Sequence, residues 1–148
     1  MSGVILHSIF EDAQPDLLAY KVDADNETIS GTVVDMLDYQ GVIFIALVGK
    51  GETANIDLKV QQGQASNLSD AADLAGSKVT FAIAAATNGF AFAEVKNPLE
   101  RYLRPQLVVP DLSTARPAFL LAIRYGKNQM PETNADGELN VTPAEGTA

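Results

Sequence analysis

Seven consecutive apolar residues, Val42 to Val48 (VIFIALV), constrain this chain more than any other feature. The run is too short to cross a membrane as a helix, and its β-branched and aromatic content favours a strand. In a strand, Val42, Phe44, Ala46 and Val48 point one way and Ile43, Ile45 and Leu47 the other. Such a strand has to be covered on both faces. At about 25 cal/mol per Å2 of apolar area, burying these side chains is worth on the order of 10 kcal/mol before conformational entropy is subtracted. The run is expected to be a central strand. Thr32 to Met36 reads as a short strand before it. Asp38-Tyr39-Gln40-Gly41 reads as the intervening turn, with Asp38 bonding its own backbone.

The rest of the chain follows the same period. In Ala54 to Gln62 (ANIDLKVQQ), Ile56, Leu58 and Val60 alternate with Asp57, Lys59 and Gln61, the pattern of a half-buried antiparallel strand. Asp70 to Leu74 has room for one helical turn with Ser69 as its N-cap. Lys78 to Ala86 is a strand with Val79, Phe81 and Ile83 on one face, and Thr80, Ala82 and Ala84 on a face small enough for close packing. Asn88-Gly89 signals a hairpin, after which Phe90 to Val95 would pair back. Arg101 to Val109 carries Pro105, which predicts an edge strand or a bulge. Pro117 to Tyr125 is the last strand, with Phe119, Leu121, Ile123 and Tyr125 on one face. Strands at this spacing, with turn signals between them, point to an antiparallel β-sandwich or barrel. The expected organisation is an N-terminal arm over residues 1–31, broken at Gln14-Pro15, a core over 32–125, and an extended polar tail over 126–148, held by a neighbouring subunit or lying along the surface of its own monomer.

Composition closes several routes to chemistry. The chain has 148 residues, a length suited to one domain, and no cysteine, which excludes disulfides, thiolate metal sites and cysteine nucleophiles. The start, MSGVILHSIFEDAQ, has no basic stretch and is not expected to act as a signal peptide. Net charge is -9 and uneven. Residues 11–38 hold eight acids against Lys21, and residues 96–127 hold six bases against Glu100 and Asp111. The imbalance is either solvated surface charge or an acidic end made to face a basic end of another copy or partner. The overall acidity argues against non-specific nucleic-acid binding, and no apolar run is long enough to predict a membrane span.

No residue cluster reads as an active site. His7 is the only histidine and is expected to be a surface or packing residue. Asp35 and Asp38 flank a turn. Asp23, Asp25 and Glu27 have calcium-loop spacing but lack the glycine and the closing glutamate. Gly49-Lys50-Gly51 lacks the rest of a phosphate loop. No metal and no cofactor is expected. Arg101-Tyr102-Leu103-Arg104 alternates cation and bulk, which suits either an interface strand or an edge strand whose stems lie on the core.

Several stretches carry a resemblance: Val34–Ile45, Leu58–Gly63 (LKVQQG), Asp70–Ser77 (DAADLAGS), Asn97–Arg104 (NPLERYLR), Ala122–Gly126 (AIRYG) with Pro131, and the closing PAEGTA. Their order resembles the small head decoration, or cement, proteins of tailed bacteriophages with HK97-type capsids. The resemblance implies a jelly-roll-like β-sandwich with extended arms that assembles as dimers or trimers. It would bind the outer face of the head and bridge major capsid protein subunits, without catalysis, nucleic acid or membrane. The protein would be made in the host cytoplasm and reside in the virion. Related small phage proteins serve at the head–tail connector or in the tail, and a small β-barrel ligand-binding module is a further alternative. Candidate partner-contacting residues are Arg101, Tyr102, Arg104 and Arg116, with Met130 and Pro131 in the tail.

Overall fold

A computed structural model describes residues 13–127. All regular structure among them is extended. In chain order the strands are β1 (Ala13–Ala24), β2 (Glu27–Ser30), β3 (Val34–Asp35), β4 (Gly41–Val48), β5 (Ala54–Gly63), β6 (Ala72–Asp73), β7 (Val79–Ile83), β8 (Gly89–Lys96), β9 (Tyr102–Val109) and β10 (Arg116–Tyr125). One sheet runs β1-β10-β4-β8; the second runs β2-β9-β5-β6, with β3 also on β9 and β7 also on β5. Every pairing is antiparallel. With the two-residue β3 and β6 set aside, eight strands remain. Numbered in chain order they run 1-8-3-6 in the first sheet and 2-7-4-5 in the second. That is the order of a jelly roll, so the expected all-β antiparallel sandwich is what the chain forms.

The expected central strand is β4, which pairs with β10 over residues 41–48 on one side and β8 on the other. Val42, Phe44, Ala46 and Val48 face the core and are fully buried. From the second sheet Ile56, Leu58 and Val60 of β5 meet them, in the alternation read from the sequence, together with Leu103 and Leu107 of β9. The first sheet fills its side of the core largely with small residues: Ala91 and Ala93 from β8, and Ala118 and Ala122 around Leu120 from β10.

Local expectations differ from this structure in four places, each with a physical reason. Pro15 does not break the chain: it lies inside β1, which is an edge strand, where a missing N–H costs no ladder bond. Residues 13–24 and 27–30 are therefore strands of the sandwich. Pro105 is fully buried in β9, paired with Val60 of β5, and forms no bulge in that ladder. Its effect falls on the opposite side, in the gap between β2 and β3, where Gly31 packs against the proline ring and donates its N–H to the Pro105 carbonyl at 2.9 Å. Asn88-Gly89 is not a hairpin turn: β7 pairs with β5 and β8 with β4, so the connection crosses between sheets. Gly89 is needed there because a Cβ would lie 2.7 Å from Ile83 Cγ2. Residues 70–74 form no helix. The Asp70 carboxylate closes the preceding loop by accepting the N–H groups of Gln64 and Ala65, at 2.8 and 3.2 Å, and Ala72–Asp73 then pairs with β5.

Candidate functional site

The two outer faces of the sandwich have opposite chemistry. On the second sheet, outward side chains are polar and matched to one another. Lys59 pairs with Asp73 at 3.1 Å, Lys78 with Asp57 at 3.2 Å, and Thr80 donates to Asp57 at 2.6 Å. The Thr80 hydroxyl, then the Lys78 ammonium, hold the Asp57 carboxyl below its ordinary range. This is how a solvated antiparallel sheet face is built.

The first sheet does the reverse. Across its strands the register sets Phe92, Ile45, Leu121 and Leu17 in one outward row. The next row holds Phe90, Leu47, Phe119 and Tyr20. The Tyr20 and Phe119 rings stack at 4.8 Å between centroids. Large side chains therefore point to solvent where alanines point to the core. Phe90 and Phe92 on β8 are 57% and 60% exposed, and Leu17 and Tyr20 on β1 are 62% and 56% exposed. Four strands about 4.8 Å apart, crossed by two rows about 7 Å apart, give a footprint of roughly 270 Å2. Ordinary monomers carry one apolar patch of a few hundred Å2, and that patch is often functional. At one border Glu94 and Lys96 pair at 3.5 Å, and Glu94 accepts a 3.0 Å bond from Tyr125. At the other end Leu47, Gly49, Pro117 and Phe119 line a shallow hollow of about 230 Å3.

The arginine–tyrosine strand predicted as a contact site lies on the other sheet and is internally engaged. Arg101 grips the Asp35 carboxylate with two bonds, 2.9 Å from Nε and 2.8 Å from Nη2. That pairing holds the Asp35 carboxyl below its ordinary range. The Arg101 guanidinium also stands 5.0 Å from the Tyr102 ring centroid. Arg104 donates to Gln61 at 2.9 Å. Arg116 lies across Gly51 at the opposite end of the sandwich, so the structure does not bring it together with Arg101 and Arg104. Met130 and Pro131 lie outside the described residues, as does His7.

A cleft of about 520 Å3 opens between the 36–40 and 97–101 loops. Asp38 and Asn97 line it, both with left-handed backbone (φ 70° and 48°). The turn is capped by Asp35, whose Oδ1 accepts the Leu37 N–H at 2.9 Å, and not by Asp38 as the sequence indicated. Two of the three acids at calcium-loop spacing serve the fold. Asp25 accepts the Leu112 N–H at 2.7 Å, and Glu27 pairs with Lys21. Among the described residues no group of three or more potential ligands could hold a metal ion. The carboxyls whose titration is displaced, among them Glu27, Asp35, Asp57 and Asp73, all move down, so they stay ionised and suit pairing better than proton transfer near neutrality.

Sequence reasoning missed the apolar face, although its signal was present. Phe119, Leu121 and Ile123 share one side of their strand and Phe90 and Phe92 one side of theirs; what the pattern did not show is that both sides face outward.

No protein-family profile and no curated protein matches this sequence. Solved structures do share its fold. PBSX exported protein XepA superposes with a TM-score of 0.53 at 18% identity, over 97% of this chain and 47% of XepA. The chain thus spans just under half the length of that protein. SPBc2 prophage-derived protein YomS superposes with a TM-score of 0.50 at 10% identity, over 84% of this chain and 100% of YomS.

Proposed function

We propose that this chain is a non-enzymatic structural protein of a phage virion, and within that class a decoration or cement protein. It would bind the outer surface of the assembled head and strengthen contacts between major capsid protein subunits. The observation that carries this reading is a jelly-roll sandwich with an apolar sheet face that the described residues leave exposed, on a fold shared with a prophage-derived protein. Such a face is costly to leave in water and gains by burial in an assembly. The sequence resemblance to head decoration proteins points the same way. The opposite face, with Arg101, Tyr102 and Arg104, is the candidate surface toward the capsid, since polar, arginine-bearing surfaces suit contacts that must form from two soluble partners.

A ligand that binds only the assembled lattice stabilises it by mass action, and many modest interfaces act together. The test is co-sedimentation of the purified protein with capsids that lack it, followed by a count of copies per particle. Saturation at copy numbers comparable with the capsid subunits is expected. Saturation at the copy number of a portal or tail ring would move the protein to the connector or tail. Failure to bind would overturn the virion reading in favour of a ligand-binding module.

A further inference from the structure

We propose that the outer face of the first sheet is the seat of a second copy of this chain, packed sheet on sheet about a two-fold axis parallel to the strands. This does not depend on the capsid assignment; it follows from the face itself.

Three observations select this occupant. Within the two apolar rows the most exposed side chains lie on the two edge strands, Phe90 and Phe92 on β8 and Leu17 and Tyr20 on β1. The register puts Phe92 in the same row as Leu17, and Phe90 in the same row as Tyr20. A two-fold axis parallel to the strands keeps each row in place and reverses strand order. The β8 edge of one copy then lies over the β1 edge of the other, twice, so every exposed edge residue meets an apolar partner at its own level. No other operation on one molecule is needed to cover all four.

Charge permits the contact. The chain carries a net charge of -9, which would oppose most ways of bringing two copies together. The two apolar rows carry no charge, and the charged pair at the border, Glu94 with Lys96, cancels within one copy. Two like faces can therefore meet without a matched set of opposite charges, which a foreign partner of this acidic protein would be expected to supply. Area is also compatible. Facing sheets pack about 10 Å apart with strands within about 30° of each other. The roughly 270 Å2 footprint forms the apolar centre of an interface that needs about 800 Å2 per partner, the remainder coming from its border.

The experiment uses the full chain. Sedimentation equilibrium from about 1 to 100 μM is expected to show the mass doubling toward a dimer, and Phe92→Lys is expected to return it to monomer. Because that variant could fail for want of folding, a second arm works on the intact face. The chain has no cysteine, so Leu17→Cys and Phe92→Cys each introduce a single thiol. A short bismaleimide linker should join the two variants when they are mixed and leave each alone unjoined. Two copies of position 92 would be three strand spacings apart, about 14 Å laterally, in the proposed arrangement. A chain that stays monomeric across the range would overturn the proposal. So would either variant joining to itself, which would place the axis across the strands. A monomer in which Phe92→Cys links internally to Ile9→Cys would also overturn it, by giving the face to the chain's own first residues. A monomer that is protected at position 92 only when capsid shells are added would give the face to the capsid instead.

Discussion

Arg124 shows how single side chains hold one end of the sandwich. Its Nη1 donates to the Asp35 carbonyl at 2.9 Å and its Nη2 to the Asp16 carboxylate at 3.1 Å, while the guanidinium lies 4.5 Å from the Tyr39 ring centroid. One residue of β10 thus ties β1, β3 and the 38–41 turn. Asp35 is the other half of this joint, because its carboxylate takes Arg101. Its carboxyl is depressed, first by the Arg101 bonds, so the stabilisation is present above the carboxyl's unfolded range and is lost as pH falls through the folded value. Asp35→Asn keeps the turn-capping oxygen and loses the charge. It is expected to cost up to about 1 kcal/mol at neutral pH, since both partners are about two-fifths exposed. In urea unfolding the gap between variant and parent should close as the solution is taken below the ordinary carboxylate range. A gap that persists in acid would show that Arg101 is not its source. Gly41 tests a packing joint at the same end. A Cβ there would lie 2.3 Å from the Tyr125 hydroxyl oxygen, so Gly41→Ala must displace a ring that burial, and then Glu94, hold at a raised pKa. The expected result is a loss of about 1–3 kcal/mol, with a tyrosine titration falling back toward the ordinary range in ultraviolet absorbance.

Strand β10 carries the asymmetry of the fold in adjacent residues. Leu120 points inward and is fully buried; Leu121 points outward in the apolar row. In the monomer, Leu120→Ala should cost about 3 kcal/mol, the transfer and cavity cost of a core leucine, and Leu121→Ala about 1 kcal/mol or less. Equal losses measured on dilute protein would mean that the outward face is covered within one chain. This contrast also shows what the sequence could reveal. Period 2 was plain in Ile56, Leu58 and Val60, where polar residues mark the outside, and both the strand and its inward side were legible. In β4, and where β8 and β10 carry the two apolar rows, both sides are apolar or small, so periodicity identified the strands without saying which side was the core. The alanines chose: Ala91, Ala93, Ala118 and Ala122 let the sheets approach, and the bulkier residues were left outside. Pairing was less legible still. Asn88-Gly89 has hairpin chemistry, yet sheet assignment is decided by long-range contacts that a local turn signal does not contain.

At the scale of the whole molecule the uneven charge has an internal account. The acidic early strands lie against the basic late ones: β1 pairs with β10, and β2 and β3 pair with β9. Asp16 reaches Arg124 and Asp35 reaches Arg101, so part of what reads as a signal for a partner is used in bringing the first and last strands of the jelly roll together. What the described residues leave exposed is the apolar face. Under the proposed function the two sides of the sandwich divide the work of an assembly, one sheet joining copies and the other facing the shell. A cement role then makes a thermodynamic demand. If the protein binds the intact lattice and not its separated subunits, each site gains RT ln(1 + [L]/Kd), about 2.7 kcal/mol when free protein stands at 100 times Kd and about 1.4 kcal/mol more for each further tenfold. The disruption temperature of capsids should therefore keep rising with free protein after every site is filled. Scanning calorimetry of capsids at several protein concentrations above saturation measures this directly. A disruption temperature that stops rising at saturation would mean that the protein decorates the shell and binds its separated subunits as well, without strengthening the lattice.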